Sequence, residues 1–367
     1  MVPAAARGQV PAAAATPPTD SSPDINGSAS LRAHAHGMLV GCAAVPYLLN
    51  NEPQYAAAVA AQANLLVAEN AMKWAALRPA PDQFNFAAAD ALFSFAAQHG
   101  QKVRGHNLCW HEALPKWFAT TATAQNARQL LTTHIETVAG RYAGRIHSWD
   151  VVNEAIDPKS DRPDGLRKSP WLDLAGNDYV ELAFKTARRV DRAALLTYND
   201  YDIELDTPPQ TAKRALVLSL VKRLKALGVI DAVGVQSHLS ASGPMPGDGL
   251  RTFVRELNAM GLQVFITEMD VSDQKLPGSA PERDQAVANV YAQYLALMFA
   301  EPNVTAALTW GITDRYTWIG HERPRADGLQ PRPLPLDADY RPTPAFFAMR
   351  DALDARSTRA AARQHQS

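Results

Sequence analysis

Two glutamates stand at the ends of apolar segments, where a charged side chain is unexpected. Glu154 follows the apolar part of WDVVNEA (149–155), and Glu268 lies within FITEMDV (265–271). Either residue alone could simply end a strand and face solvent. As a pair facing each other across a cleft they could cleave a glycosidic bond, because that reaction needs one protonated and one ionised carboxyl group. The elements that carry the two glutamates therefore decide the function.

Other polar and aromatic residues recur at the ends of similar apolar segments. They are Glu69, Asn70, Lys73, His106, Trp110, His111, Asn153, Asn199, Gln236, His238, Asp270, Trp310 and Trp318. Tryptophan faces exposed in a cleft suit the apolar faces of sugar rings, and we expect Trp74 to belong with Trp110, Trp310 and Trp318. Trp117 and Trp149 are expected to pack in the core, while the position of Trp171 stays open.

A metal centre is the main alternative for these residues. The types that can bind a metal are His106, His111, His238, Glu154, Glu268 and Asp270. None of the predicted strands carries an HxH pair, and no HExxH motif occurs, so we expect no catalytic metal. His134, in the helical segment before WDVVNEA, is expected at the surface or the edge of the core without a functional role.

Eight short apolar segments alternate with longer amphipathic ones. The short segments are 38–45, 64–69, 102–110, 145–154, 193–200, 231–238, 262–270 and 305–311. In the amphipathic segments, apolar residues at 131–142 and 216–227 keep helical spacing. Alternating strands and helices favour a parallel sheet, and eight repeats over about 300 residues favour an α/β fold of the (β/α)₈ TIM-barrel type.

The barrel explains where the polar residues fall. In a barrel the carboxyl ends of all strands lie on one face, which carries active sites. A doubly wound open sheet is the alternative, but no Gly-rich phosphate loop follows the first segment.

Cys42 and Cys109 would lie on the first and third strands, which are not neighbours, so we expect two buried thiols and no disulfide.

Composition limits the possible partners and predicts the domain boundaries. The formal net charge is −1, with 47% hydrophobic residues, which gives no electrostatic reason to expect nucleic acid or an anionic membrane. We predict a disordered Ala/Pro-rich tail or linker at 1–30, a single catalytic domain at 31–354 and a disordered tail at 355–367. An Ala/Pro-rich start often follows a removed export signal, so we expect a secreted or periplasmic protein.

The motifs together resemble those of the glycoside hydrolase family 10 endo-β-1,4-xylanases. The matching stretches, in family order, are VAENAMKW (67–74), RGHNLCWH (104–111), WDVVNEA (149–155), LRKSPWLDLAGNDYVELAF (166–184), YNDYDIE (198–204), GVQSHL (234–239), FITEMDV (265–271) and WGITDRYTW (310–318). The resemblance covers roughly residues 31 to 352. It implies xylan or xylo-oligosaccharides as substrate, a retaining double displacement, no cofactor and no metal; we expect a monomer.

The resemblance also implies residue roles. Glu154 would be the acid/base and Glu268 the nucleophile, supported by Asn153, Gln236, His238 and Asp270. Asn153 would bind the sugar 2-hydroxyl, Gln236 would lie near Glu154, and His238 would bridge Glu268 and Asp270. The implied substrate-binding residues are Glu69, Asn70, Lys73, His106, Trp110, Asn199, Trp310 and Trp318.

One position departs from the family pattern. Ala113 stands where family members usually carry a glutamine that, with the counterpart of Trp318, crowds the space for a glucose hydroxymethyl group. The smaller residue predicts a roomier pocket and keeps open a β-1,4-glucanase or an enzyme of dual specificity. The long Pro-rich segment after Trp318 could also move that tryptophan. A non-catalytic xylan-binding protein and a metal-dependent hydrolase are the remaining alternatives, although the presence of both carboxylates argues against the former.

Overall fold

Nine parallel strands form the sheet of this protein. The computed structural model describes residues 23–364 of the 367-residue chain. The strands are β1 (Leu39–Ala44), β2 (Leu65–Ala68), β3 (Lys102–His106), β4 (Ser148–Asn153), β5 (Leu195–Asp200), β6 (Ala232–Val235), β7 (His238–Ser240), β8 (Gln263–Ser272) and β9 (Val304–Thr309). Strands β1 to β6 pair in order, β6 pairs with β8, and β9 pairs with both β8 and β1. Eight strands thus close a parallel barrel, which confirms the predicted fold class.

Helices surround the barrel and connect its strands. They are α1 (Pro46–Asn51), α2 (Pro53–Gln62), α3 (Trp74–Leu77), α4 (Ala87–Gln98), α5 (Phe118–Thr121), α6 (Ala127–Tyr142), α7 (Pro170–Ala175), α8 (Tyr179–Val190), α9 (Pro208–Ala226), α10 (Asp248–Ala259), α11 (Ala280–Met298), α12 (Ile319–Glu322) and α13 (Pro344–Gln364). Proline occupies the first turn of several of them, where its missing N–H costs no hydrogen bond. Ser279 and Glu282 form a capping box at the start of α11. None of the helices within residues 23–364 is long and apolar enough to span a membrane.

Each predicted strand segment contains a strand, but two segments end differently. The sixth segment holds both β6 and β7, because Ser237 between them adopts a positive φ of 69° and interrupts the strand. β7 then continues alongside β8. β3 ends at His106, so the prediction that Cys109 lies on the third strand is wrong. Cys42 and Cys109 are both buried and free.

The barrel interior is apolar around its middle and polar toward one end. Leu65, Val67, Phe265 and Leu308 belong to a buried cluster within the barrel. Arg104 extends into the same interior, with its guanidinium 5.7 Å from the centre of the Phe265 ring. A second, larger cluster lies between the barrel and the helices. A charged residue this deep needs a partner, and the site below provides it.

The structure describes part of each segment that was predicted to be a tail. Of residues 1–30, the structure describes 23–30: Ile25 is buried, and the Gln62 side chain donates to the Ile25 carbonyl at 2.9 Å and accepts from the Leu31 amide at 2.9 Å. At the other end, α13 continues to Gln364, and Arg356 donates to the carbonyl of Glu301 at 3.3 Å. These long-range contacts were not visible from composition. Residues 1–22 and 365–367 lie outside the described part.

Candidate active site

A cleft of 880 Å³ opens at the carboxyl ends of the barrel strands. Twelve of the predicted site residues line it: Glu69, Asn70, Lys73, His106, Trp110, Asn153, Glu154, Gln236, His238, Glu268, Trp310 and Trp318. They come from six strand ends or the loops that follow them and are spread over 250 positions of the chain. The barrel therefore brings together residues that are far apart in sequence.

Glu154 follows directly after β4 in a left-handed backbone conformation, with φ of 58°. This conformation is unfavourable for a residue with a Cβ, and such strain is concentrated at functional sites. The Glu154 amide donates to the carbonyl of Asn199 at 2.9 Å, which ties the turn to β5. Oε1 of its side chain accepts from Gln236 at 2.8 Å and from Asn153 at 3.1 Å, and Oε2 accepts from Trp110 at 2.9 Å. The carboxyl group is held by three donors while it still lines the cleft.

The surroundings of Glu154 favour its protonated form. Burial raises the pKa of Glu154, because a charge is poorly solvated there. The hydrogen bonds from Gln236 and Trp110 lower the pKa, whereas the negative charges of Asp200 and Glu268 raise it. The net direction is upward, which suits a group that must donate a proton.

Glu268, on β8, has the opposite electrostatic surroundings. Its Oε1 accepts from the Asn199 amide at 2.7 Å, and its Oε2 lies 3.4 Å from Nε2 of His238. Burial favours the neutral acid, but the hydrogen bond from His238, the nearby His106 and Asn199 outweigh it and bring the pKa of Glu268 to about 2. The pKa values of two buried carboxyl groups in one cleft are thus shifted in opposite directions, which suits the different protonation that a retaining glycosidase requires.

Asn199 links the two glutamates from beneath. Its Nδ2 donates to Oε1 of Glu268 and also to Oδ1 of Asn153, at 2.9 Å. Its Oδ1 accepts from the hydroxyl of Thr267 at 2.7 Å. Asn199 is fully buried and is not among the residues that line the cleft. The structure thus places Asn199 behind the cleft lining, with its amide already used in hydrogen bonds to other protein side chains.

His238 and Trp318 share Asp270 as their anchor. Nδ1 of His238 lies 3.0 Å from Oδ1 of Asp270, while the indole of Trp318 donates to Oδ2 at 2.7 Å. Burial favours the neutral ring, but the carboxylates of Asp270 and Glu268 raise the pKa of His238 to about 10. The protonated ring therefore donates to both carboxylates. Trp318 lines the cleft, although the loop after it departs from the family pattern.

A buried chain of hydrogen-bonded polar side chains lies below Glu268. Nδ1 of His106 lies 2.9 Å from Oδ2 of Asp150 and 4.0 Å from Oε1 of Glu268. The other carboxylate oxygen of Asp150 accepts from Arg104. All three side chains are almost completely buried, and Asp150 gives the Arg104 guanidinium a partner of opposite charge. The Asp150–Arg104 pair was missed in the sequence, although both residues stand inside the quoted motifs.

The part of the cleft around Lys73 combines polar groups with indole faces. Nζ of Lys73 donates to Oδ1 of Asn70 at 2.9 Å and lies 5.1 Å from the ring centre of Trp110 and 5.8 Å from that of Trp310. Burial lowers the pKa of Lys73, although the negative charges of neighbouring glutamates act to raise it. Asn70 in turn donates to Glu69 at 3.2 Å. This set offers donors and acceptors for sugar hydroxyl groups.

Two aromatic predictions are wrong. Trp74 is only 1% exposed and does not line the cleft; its indole donates to the Leu108 carbonyl at 2.7 Å. His134, expected near the surface, is fully buried and stacks on Trp74 with ring centres 3.7 Å apart. Trp171 completes this cluster and donates to the Trp110 carbonyl at 2.8 Å. The cluster packs behind the cleft and supports the backbone that carries Trp110.

Several cleft residues were not singled out in the sequence. They are Tyr47, Glu112, Tyr201, His321, Glu322 and Arg323. Each follows a strand at the carboxyl end of the barrel, and Tyr201 comes directly after β5. The Arg323 guanidinium lies 4.9 Å from the centre of the Trp318 ring. His111, in contrast, does not line this cleft. Ala113 does not line it either, although its neighbour Glu112 does.

A parallel (β/α)₈ barrel whose carboxyl-end cleft holds two glutamates with oppositely shifted pKa values, and is also lined by indole rings, has the fold and site of a glycoside hydrolase. The family model described as Glycosyl hydrolase family 10 matches residues 28–352, and the chain belongs to that family.

Relatives and solved structures agree with this assignment. A Beta-1,4-xylanase from Dictyoglomus thermophilum is 36% identical over 297 residues, which cover 77% of this chain and 80% of the relative. The Endo-1,4-beta-xylanase B from Paenibacillus barcinonensis is 33% identical over 86% of this chain and 95% of its own length. Some relatives are longer: the chain spans 28% of Endo-1,4-beta-xylanase A from Thermotoga neapolitana.

Among solved structures, native xylanase 10B from Thermotoga maritima superposes with a TM-score of 0.82 and 33% identity, covering 90% of this chain and 99% of that one. Xylanase 10B from Thermotoga petrophila, solved in complex with xylobiose, gives a TM-score of 0.81 at 32% identity, with coverage of 89% and 98%.

Proposed function

We propose that this family 10 enzyme hydrolyses β-1,4-xylosidic bonds within xylan and retains the anomeric configuration, with Glu268 as nucleophile and Glu154 as acid/base. The observation that carries the proposal is the opposite pKa shift of the two carboxyl groups in one cleft: the pKa of Glu268 is lowered to about 2, and that of Glu154 is raised. The substrate class is supported by relatives named xylanases and by a related structure that holds xylobiose.

In the first step Glu268 attacks the anomeric carbon and the Glu154 proton moves to the departing oxygen. His238 and Asn199 hold the two oxygens of Glu268, so the carboxylate is aimed before substrate arrives. Asn153 donates to Glu154 and accepts from Asn199, and its position between the two glutamates suits contact with the sugar 2-hydroxyl. The glycosyl ester and a shortened xylan chain are the products of this step.

In the second step Glu154 takes a proton from water, which then attacks the anomeric carbon and releases Glu268. Esterification removes the charge of Glu268, one of the groups that raise the pKa of Glu154. Glu154 therefore becomes more acidic in the intermediate, as a general base should be. One residue serves both steps because its neighbour changes charge between them.

The indoles and the polar set around Lys73 form the substrate-binding part of the proposal. Trp110 and Trp310 flank Lys73, and Trp318 stands over His238 with ring centres 5.2 Å apart. A neutral pyranose ring gains from apolar contact with such faces while its hydroxyl groups bond to Glu69, Asn70 and Lys73. We assign these residues to xylose units on the nonreducing side of the cleaved bond.

Variants of the two glutamates test the roles directly. Glu268→Ala should abolish activity on xylan and on aryl xylobiosides, because no other group lies in position to attack. Glu154→Ala should keep the first step for aryl xylobiosides with good leaving groups, which need little acid assistance. Added azide should then react with the glycosyl enzyme and yield a β-glycosyl azide, identified by NMR.

The stereochemistry of the azide product distinguishes the two glutamates. An α-glycosyl azide from Glu154→Ala would mean that the roles are reversed. Wild-type enzyme should release products that are initially of β configuration, and internal cleavage should lower the viscosity of xylan faster than it releases reducing ends. Binding of xylan without any release of reducing ends would instead identify a non-catalytic binding protein.

We further propose that the barrel acts as a single catalytic domain, as a monomer, outside the cytoplasm. Xylan is a polymer too large to enter a cell intact, so the enzyme must meet it in the medium or the periplasm. Light scattering after size-exclusion chromatography should give the mass of one chain. Cell fractionation should find the xylanase in the secreted or periplasmic fraction; recovery only in the cytoplasm would contradict the proposed location.

A further inference from the structure

Three side chains that can bind a metal meet far from the cleft. His34 and His36 lie at the end of a short 3₁₀ helix (Ala33–Ala35) before β1, and Asp354 lies on α13. The two elements are 318 to 320 residues apart in the chain. Since β1 begins after His36, the cluster lies at the amino end of the barrel, opposite the cleft. The residues therefore belong to no part of the catalytic site.

The donor atoms of the cluster converge. Nδ1 of His34 lies 2.8 Å from Oδ1 and 3.0 Å from Oδ2 of Asp354, while Nε2 of His36 lies 2.8 Å from Oδ1. All three ligand atoms lie within 4.8 Å of one another. The two imidazole rings are almost perpendicular, at 83°, with centres 6.2 Å apart. The ring nitrogens thus point at one carboxylate, and the two rings do not stack on each other.

The backbone orients His36 for this contact. His36 has φ of 47° and ψ of 46°, a left-handed conformation that few residues other than glycine adopt. This turn reverses the chain after the 3₁₀ helix. Ala35 before it and Met38 after it are buried, and so is Leu353 beside Asp354. Packing on both elements therefore fixes the distance between the two histidines and the carboxylate.

The distances suit a small transition-metal ion. Zinc binds imidazole nitrogen and carboxylate oxygen at about 2.0–2.2 Å, so ligand atoms around a tetrahedral ion stand roughly 3.4 Å apart. The nitrogen–oxygen distances would need to open by about half an ångström to reach that value. The side chains are 25% (His34), 41% (His36) and 44% (Asp354) exposed, which leaves room for that rotation. A fourth position would remain open to water.

We propose that His34, His36 and Asp354 bind one divalent transition-metal ion of the zinc type, which joins the segment before β1 to α13. Imidazole with carboxylate is a ligand set that zinc favours over calcium or magnesium. The ion takes the place of the ring protons that now bridge the nitrogens to Asp354. The site is structural: it links two ends of the described chain and leaves the cleft untouched.

Zinc titration of the full chain tests the proposal. After treatment with a chelator and its removal, isothermal titration at neutral pH should show one zinc ion bound per chain. His36→Ala and Asp354→Asn should each weaken zinc binding by at least about tenfold, because each removes or neutralises a direct ligand. His36 is partly exposed, so its replacement leaves the fold intact. His99→Ala is the matched control, since His99 is exposed and precedes β3 at the same end of the barrel.

Thermal unfolding gives a second readout. Zinc should raise the unfolding midpoint of the wild type and of His99→Ala, but not that of His36→Ala. The kcat on xylo-oligosaccharides at moderate temperature should be the same with zinc and with chelator. The proposal fails if wild type binds zinc no more tightly than His36→Ala and Asp354→Asn, or if His99→Ala loses as much affinity. In that case the three residues form hydrogen bonds alone.

Discussion

At the scale of single residues, the site depends on two buried glutamates that titrate differently. Glu268 has a cationic ring and an amide beside it, whereas Glu154 has amide and indole donors and negative neighbours. Burial acts in the same direction on both, so the neighbours decide the difference. Under the proposed roles, activity requires ionised Glu268 and protonated Glu154. Activity is therefore lost as pH falls through the pKa of Glu268 and as pH rises through the pKa of Glu154.

Two substitutions should move the alkaline limit of activity in opposite directions. Gln236→Leu removes a donor that stabilises ionised Glu154, so the pKa of Glu154 should rise and the limit should move to higher pH. Asp200→Asn removes a negative charge that raises that pKa, so the limit should move to lower pH. Profiles of kcat/KM against pH report the free enzyme and check both signs. A shift of both variants in the same direction would contradict the assignment of Glu154.

We also expect a single residue, Ala113, to influence the choice of substrate. A glutamine at position 113 should narrow the space for the hydroxymethyl group that distinguishes glucose from xylose. We expect Ala113→Gln to lower kcat/KM for aryl cellobioside by about tenfold and to change that for aryl xylobioside little. Ala113 already has a positive φ of 51°, so the backbone cost is similar for both residues. An equal loss on both substrates would mean that the residue does not affect specificity.

At the scale of elements, β6 must lie close to the side chains of β5. A Cβ on Gly234 would come within 2.2 Å of Oδ1 of Asn199 and within 2.9 Å of Cγ2 of Thr267. Asn199 has no free direction to move, because it is bonded to Asn153, Thr267 and Glu268. Position 234 on β6 therefore needs a glycine because of the close packing around Asn199, and not because the backbone turns there.

Gly234→Ala should damage both stability and catalysis. We expect a loss of about 1–3 kcal/mol in the free energy of unfolding, because the added methyl overpacks the barrel. The kcat should fall with it, since displaced Asn199 no longer holds Glu268. Denaturant titration and initial rates measure the two effects. Gly140→Ala on α6 is the control: its new Cβ would stand 3.6 Å from Val190, an ordinary contact, so activity should not change.

At the scale of the whole molecule, sequence and structure agree on the barrel and on most of the cleft. The eight apolar segments carry local signals, namely β-rich runs between helical patterns, and polar ends that a barrel places on one face. The positions of Trp74, His134 and Asn199 were not predictable in this way. Trp74 and Asn199 stand close to cleft residues in the chain, whereas His134 lies within α6, and the side that each one faces depends on segments far away in sequence.

The contacts at the ends of the domain also could not be predicted from local sequence signals. Composition indicated tails at both ends, but Ile25 and Arg356 make contacts with α2 and with the end of α11 that only the folded chain brings near. His34, His36 and Asp354 likewise meet across more than 300 residues of sequence. Such contacts carry no local signature.

The sequence by itself determined the barrel, the two glutamates and the chemistry that they can perform, because strand and helix periodicity and residue type are properties of short segments. The tertiary structure was needed for the opposite pKa shifts of the two glutamates, the burial of Asn199 beneath them and the meeting of the chain ends. Those outcomes depend on distances of 3–4 Å between atoms on different elements, and such distances exist only after the barrel has closed.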